Sequence, residues 1–192
     1  MGSRLCFVST SEAYGTVCDV GQVDEDSPCQ PINIYGYTKA WGEQAARLYA
    51  PMNLSIIRPS MPFGPGMATG EGRAALPSMI AALLRGEPYT VHAGTMRSWC
   101  YVDDLIRGMA DVVERGVGVY NVGRDDDLRS MANVATAVCK ALDLDEYLIQ
   151  FAEPDDTITR VKDISMAKLR GLGWSPRVDL LEGIELTAAS LG

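Results

Sequence analysis

The chain has 192 residues, 47% of them apolar and 22% charged, a composition ordinary for a globular domain and long enough for one domain or one with a small second lobe. Its formal net charge of −8 argues against a nucleic-acid partner, because phosphate contacts need a basic stripe and none is visible. Five scattered cysteines without a CxxC pair suggest neither a disulfide framework nor a metal site, and no segment approaches a membrane span, so a reducing, cytoplasmic setting is expected.

Taken in chain order, Leu5 to Ser9 reads as a buried strand that runs into Thr10, Ser11 and Glu12. Residues 16 to 34 read as a polar, proline-containing loop, and the spacing of apolar residues predicts a helix from Gly36 to Tyr49. "LSIIRP" (54 to 59) is a second strand, followed by a Gly-rich loop over 63 to 73 and a helix from Ala74 to Arg85, with Pro77 in its first turn. "EPYTVH" and "RSWCYV" are short strands. A helix from about Asp104 to Arg115 should take Asp103 or Asp104 as its N-cap. "GVYNVG" is a strand, Ser130 to Leu142 a helix, and "ISMAKLRGLGWSP" and "DLLEGIELTAASL" two more helices. Alternating strands and helices make the chain α/β.

Tyr35 and Lys39 form a Tyr-x-x-x-Lys pair on one face of the first long helix. Such a pair is a chemical device, because an ammonium beside a phenol favours the phenolate and lets a tyrosine serve as a base near neutral pH. The three polar residues ending the first strand precede it by about 25 positions, and "IIRPSMPFGPG" follows it. With "FVSTSEAYG", "YGYTKAWGE", "RSWCYVDDLIRGM", "VYNVG" and "DISMAKLRGLGW", in that order, the chain resembles the extended short-chain dehydrogenase/reductases, the NAD-dependent nucleotide-sugar epimerases, dehydratases and decarboxylases.

The resemblance implies a partial doubly wound, Rossmann-like parallel sheet with a smaller α/β substrate lobe. Residues 1–60 would be a remnant of the dinucleotide-binding domain and 61–192 mainly the substrate lobe, with 118–142 returning to the sheet. It implies Tyr35 as catalytic base, Lys39 as its partner and a contact to the nicotinamide ribose, and Thr10, Ser11 and Glu12 at the sugar. Arg58, Pro59 and Ser60 would meet the cofactor, NAD or NADP, while Met61 and Arg97 would meet a nucleotide-sugar substrate, Arg97 at its diphosphate. A Thr-Ser-Glu ledge is similar to that of members that couple oxidation to elimination or decarboxylation, since a carboxylate there can remove the proton beside a new ketone.

The chain departs from the family pattern in four places. Met61 stands where the family has Asn, Phe63 where it has Tyr, and Glu153 where it has an arginine gripping the diphosphate. No GxxGxxG turn follows a strand, so the pyrophosphate cradle is lacking. A non-catalytic sugar-nucleotide-binding or interaction module, or one half of a two-chain enzyme, therefore stands beside the enzyme reading, and self-association or a complementing N-terminal half is expected. His92 reads as structural, Asp125 to Asp127 as loop acids near a helix start, and the three tryptophans as core or interface.

Overall fold

The structure is a computed structural model and describes residues 4–50, 53–70, 72 and 74–191. In chain order the elements are β1 (Leu5–Val8), α1 (Ile34–Tyr49), β2 (Leu54–Pro59), β3 (Pro62–Phe63), α2 (Ala75–Leu84), β4 (Tyr89–His92), β5 (Met96–Ser98), β6 (Cys100–Tyr101) and α3 (Val102–Arg115). They continue with β7 (Gly118–Val122), β8 (Leu128–Ser130), α4 (Met131–Leu142), β9 (Ile149–Ala152), β10 (Val161–Lys162), α5 (Ala167–Arg170) and α6 (Leu180–Ala189).

The main sheet is parallel, in the order β1-β2-β7. Its middle strand carries "LSIIRP", buried along its length, as a parallel strand covered on both faces must be. On one side α1 crosses β1 at Gly42, where an added Cβ would sit 2.4 Å from the Phe7 ring. On the other, Leu105 and Val112 of α3 pack with Ile57, Tyr120, Val122 and Trp174. Among the described residues β1 has a strand partner on one side only, with Leu5 and Val8 partly exposed.

A second group of elements forms the other half. β5 pairs with β10 in parallel and with β8 antiparallel, and β4 pairs with β9. Helices α2, α4 and α6 cover them around Phe63, whose ring meets Trp99 and Tyr101 edge-on at centroid distances of 6.2 and 5.9 Å.

Several expectations need correction. The loop over 16–34 is not uniformly solvated: Thr16–Val20 forms a 3-10 turn, and Cys18 and Val23 are buried with Tyr14, Ile164 and Met166. Neither Asp103 nor Asp104 caps α3, because the chain enters that helix directly from β6 and both acids fall in its first turn. Asp104 instead accepts the amides of Arg177 and Val178 at 2.8 and 2.9 Å and pairs with Arg107. The helix expected over "ISMAKLRGLGWSP" shrinks to Ala167–Arg170, since Gly171 and Gly173 end it and Trp174 is drawn into the core, donating to the Asp104 carbonyl at 3.0 Å. Asp125, Asp126 and Asp127 pair with Arg170, Arg124 and Arg129 respectively, and His92 is exposed at the end of β4.

Candidate active site

Behind β1 the chain turns sharply. Thr10 is extended and its hydroxyl accepts the Glu12 amide at 3.2 Å, which starts a one-turn 3-10 helix, Ser11–Ala13, and folds the strand end into a ledge. Thr10 and Ser11 are buried. The first turn of α1 lies against this ledge. An added Cβ on Gly36 would stand 2.7 Å from the Glu12 carbonyl oxygen and 2.9 Å from Pro31 Cβ, so only glycine permits that approach, and its neighbour Tyr35 is carried to the ledge with it.

Asn33 fixes the arrangement from two directions. Its Oδ1 accepts the Gly36 amide at 2.9 Å as the helix N-cap, while its Nδ2 donates to Glu12 Oε2 at 3.3 Å. The other Glu12 oxygen pairs with the buried Lys162 ammonium of β10. Burial raises the Glu12 carboxyl, but Lys162, Asn33 and Arg97 together outweigh it and hold the group below the usual carboxylate range. Lys39 donates to the Val8 carbonyl at 2.9 Å and lies over the Tyr35 ring, 6.0 Å from its centroid.

These groups share one cleft of about 770 Å³. Thr10, Ser11, Glu12, Tyr35, Lys39, Pro59 and Met61 all line it, and so do three residues that the sequence reading missed, Asn33, Trp99 and Lys162. Met61 holds φ at 46°, in the left-handed region that an Asn at this place would occupy more readily than Met.

Three of the expected site residues lie elsewhere. Arg58 does not line the cleft. It is buried and donates to both oxygens of Glu43 at 2.8 and 2.7 Å, stacks on Tyr14 at 4.7 Å, and reaches Cys29 Sγ at 3.1 Å. Ser9 adds a 2.6 Å bond to the same Glu43, which ties this buried pair to the back of the ledge. Ser60 is buried, with its amide on the Val122 carbonyl at 2.9 Å. Arg97 is buried and lines an adjoining cleft of about 230 Å³ with Tyr89, Thr90, His92 and Met131. Glu153 is exposed and lines neither cleft.

The residues present fit one end of a dinucleotide. Tyr35 and Lys39 on the cleft wall suit the nicotinamide and its ribose. The N-terminus of α1, the helix that follows β1, is already capped by Asn33 and packed on Pro31 and Glu12, so it offers no free backbone cradle for a pyrophosphate.

Residues 1–123 match the model of the NAD dependent epimerase/dehydratase family. The chain is 34% identical over 198 residues to UDP-glucuronic acid decarboxylase 6 of Arabidopsis thaliana, covering 97% of this chain and 57% of that protein. It is 32% identical over 202 residues to a probable dTDP-glucose 4,6-dehydratase of Sinorhizobium fredii, covering 96% and 56% respectively. The structure superimposes on a UDP-glucose 4-epimerase of Thermus thermophilus in complex with NAD, with a TM-score of 0.88 and 26% identity over 98% of this chain and 64% of the other. The chain thus spans a little over half the length of these two curated relatives. Tyr35, Lys39 and the Thr-Ser-Glu ledge stand within the matched segment, and the chain belongs to the NAD dependent epimerase/dehydratase family.

Proposed function

We propose that the cleft is the sugar-binding side of an NAD-dependent nucleotide-sugar enzyme of the dehydratase or decarboxylase type, acting through transient oxidation of a sugar carbon. The observation that carries this reading is the gathering of Thr10, Ser11, Glu12, Tyr35 and Lys39 in one cleft. NAD, when bound, supplies the hydride acceptor. Tyr35 takes the proton of the sugar hydroxyl, Lys39 supports the phenolate from the same helix face, and Thr10 and Ser11 orient the hydroxyls. Glu12, held ionised between Asn33 and Lys162, stands as the acceptor for a proton beside the ketone in the elimination variant.

The test is the transient appearance of reduced cofactor within a single turnover, after a nucleotide sugar is mixed with the chain at saturating NAD. Tyr35→Phe should lower the rate by about 100-fold or more. Equal rates in the variant and the parent would overturn the assignment of the base.

The one-sided β1 edge supports a second element of the reading: a further parallel strand, from the same or another polypeptide, completes the dinucleotide side formed by residues 1–60, while 61–192 mainly form the substrate lobe and β7 rejoins the sheet. The exposed aromatic and apolar residues Tyr37, Trp41, Leu48 and Tyr49 on α1 support self-association through that helix. A light-scattering mass that stays at 20.8 kDa at high concentration would contradict it.

A further inference from the structure

Lys162 and Arg97 are directly opposite each other in the parallel pairing of β10 with β5, and both are buried. Like charges at opposed positions of a ladder repel, and here little solvent screens them. The carboxylate nearest to hand is Glu12, the one acid within ion-pairing distance of either cation among the described residues. Asp19, close by, accepts the Val161 amide at 2.9 Å. Arg97 directs its terminal nitrogens at the carbonyls of Met96, Thr159 and Arg160, at 2.8, 2.5 and 2.9 Å. Two buried cations thus face one carboxylate, in a chain whose net charge is −8.

The surplus sits on Lys162. An ammonium has three donors. Among the described residues the Lys162 group finds one carboxylate oxygen, on Glu12, and the Met61 thioether sulfur at 3.9 Å, a weak acceptor. It also lines the large cleft, together with the ledge, Tyr35 and Lys39, whereas Arg97 lines the adjoining smaller one. A second ammonium, Lys39, shares the large cleft, so its walls carry two positive groups against the single negative one of Glu12.

Resting on the nucleotide-sugar reading above, we propose that Lys162 determines specificity in this cleft: its remaining donors take the carboxylate of an acidic sugar, a hexuronate carried on a nucleoside diphosphate, in preference to a neutral hexose. Burial holds the Lys162 ammonium below the usual lysine range, with Glu12 opposing that effect, and an anionic ligand adds to the opposition. Lys162 pairs with Glu12 and lines the same cleft as the ledge and Tyr35, so on the nucleotide-sugar reading this recognition falls at the sugar end of the ligand. The diphosphate is the competing anion, and the experiment separates the two.

The test is calorimetric titration of the full chain with UDP-glucuronic acid, UDP-glucose and UDP. The parent protein should bind UDP-glucuronic acid roughly tenfold more tightly than UDP-glucose, the discrimination of one charge-assisted hydrogen bond. Lys162→Met should erase that preference and leave UDP affinity unchanged. Because Lys162→Met leaves Glu12 without its partner, the double variant Glu12→Gln/Lys162→Met is measured beside it and should show the same loss. Glu12→Gln alone should widen the preference, since the competing carboxylate is gone. Equal binding of the two sugars by the parent, or a preference that survives in the double variant, would overturn the proposal while leaving the nucleotide-sugar reading intact. An equal weakening of all three ligands in both Lys162 variants would assign Lys162 to the diphosphate and overturn it likewise. Failure of the parent to bind any of the three would overturn both.

Discussion

Arg58 embraces Glu43 with two parallel hydrogen bonds, 2.8 Å from Nε and 2.7 Å from a terminal nitrogen, and both side chains are buried between α1 and β2. Ser9 joins the same carboxylate at 2.6 Å, so the residue that leads into the ledge is tied to the middle of the helix that carries Tyr35 and Lys39. The pair is a brace for the site. Removing one member leaves a buried charge without compensation, which costs far more than an exposed pair contributes.

Arg58→Met is therefore expected to lower unfolding free energy by roughly 3–5 kcal/mol, read as a shift of the urea midpoint. The pH dependence follows from Glu43. Burial raises its carboxyl, but Arg58, Ser9 and Arg47 prevail and hold it below the ordinary value. The folded state thus releases the proton more readily than the unfolded one. Its stabilising contribution is complete above the unfolded value of about 4.3 and disappears as pH falls from there through the lowered folded value. Glu43→Gln should flatten the stability profile over that acid range, and an unchanged acid slope would count against the brace.

Met61 offers a test of backbone strain at the cleft. At φ 46° a residue with a branched β-carbon is strongly disfavoured, whereas Asn is tolerated. Met61→Val should cost about 2 kcal/mol although it stays apolar, and Met61→Asn should be stable to within about 0.5 kcal/mol of the parent although it is polar. The reverse order of thermal midpoints would mean that packing, not conformation, governs this position.

The dinucleotide end gives a third expectation. With the α1 N-terminus capped by Asn33 and no GxxGxxG turn in the chain, NAD should bind this polypeptide with a dissociation constant above about 100 μM, because the close backbone approach to the pyrophosphate is missing. Calorimetry returning low-micromolar affinity would reject that inference.

What could be read from the sequence was whatever chemistry lies close together along it. The ledge, and Tyr35 with Lys39, are spaced by one strand end and one helical turn, so type and interval were visible together. Lys162 was hidden, since it reaches Glu12 from a two-residue strand 150 positions away, too short to show any period. Asn33 was folded into an apparent loop because its capping role depends on where α1 begins. The cofactor role of Arg58 is implied by the family resemblance alone, and the structure buries it against Glu43 instead. The overlooked signal was a lone charge at the end of an otherwise buried strand, which requires a buried partner, and Glu43 on α1 is that partner. Strands β8 to β10 went unread because their pairing with β4 and β5, not local propensity, makes them strands.

The most direct test of the cleft as a nucleotide-sugar site is a nuclear magnetic resonance titration of the isotope-labelled chain with UDP-glucuronic acid. Saturable shifts should centre on the amides of Thr10, Ser11, Glu12 and Tyr35, the indole of Trp99 and the Lys162 ammonium, the groups that line the 770 Å³ cleft. Saturable binding whose shifts spare these residues, or no shifts at millimolar ligand, would contradict it.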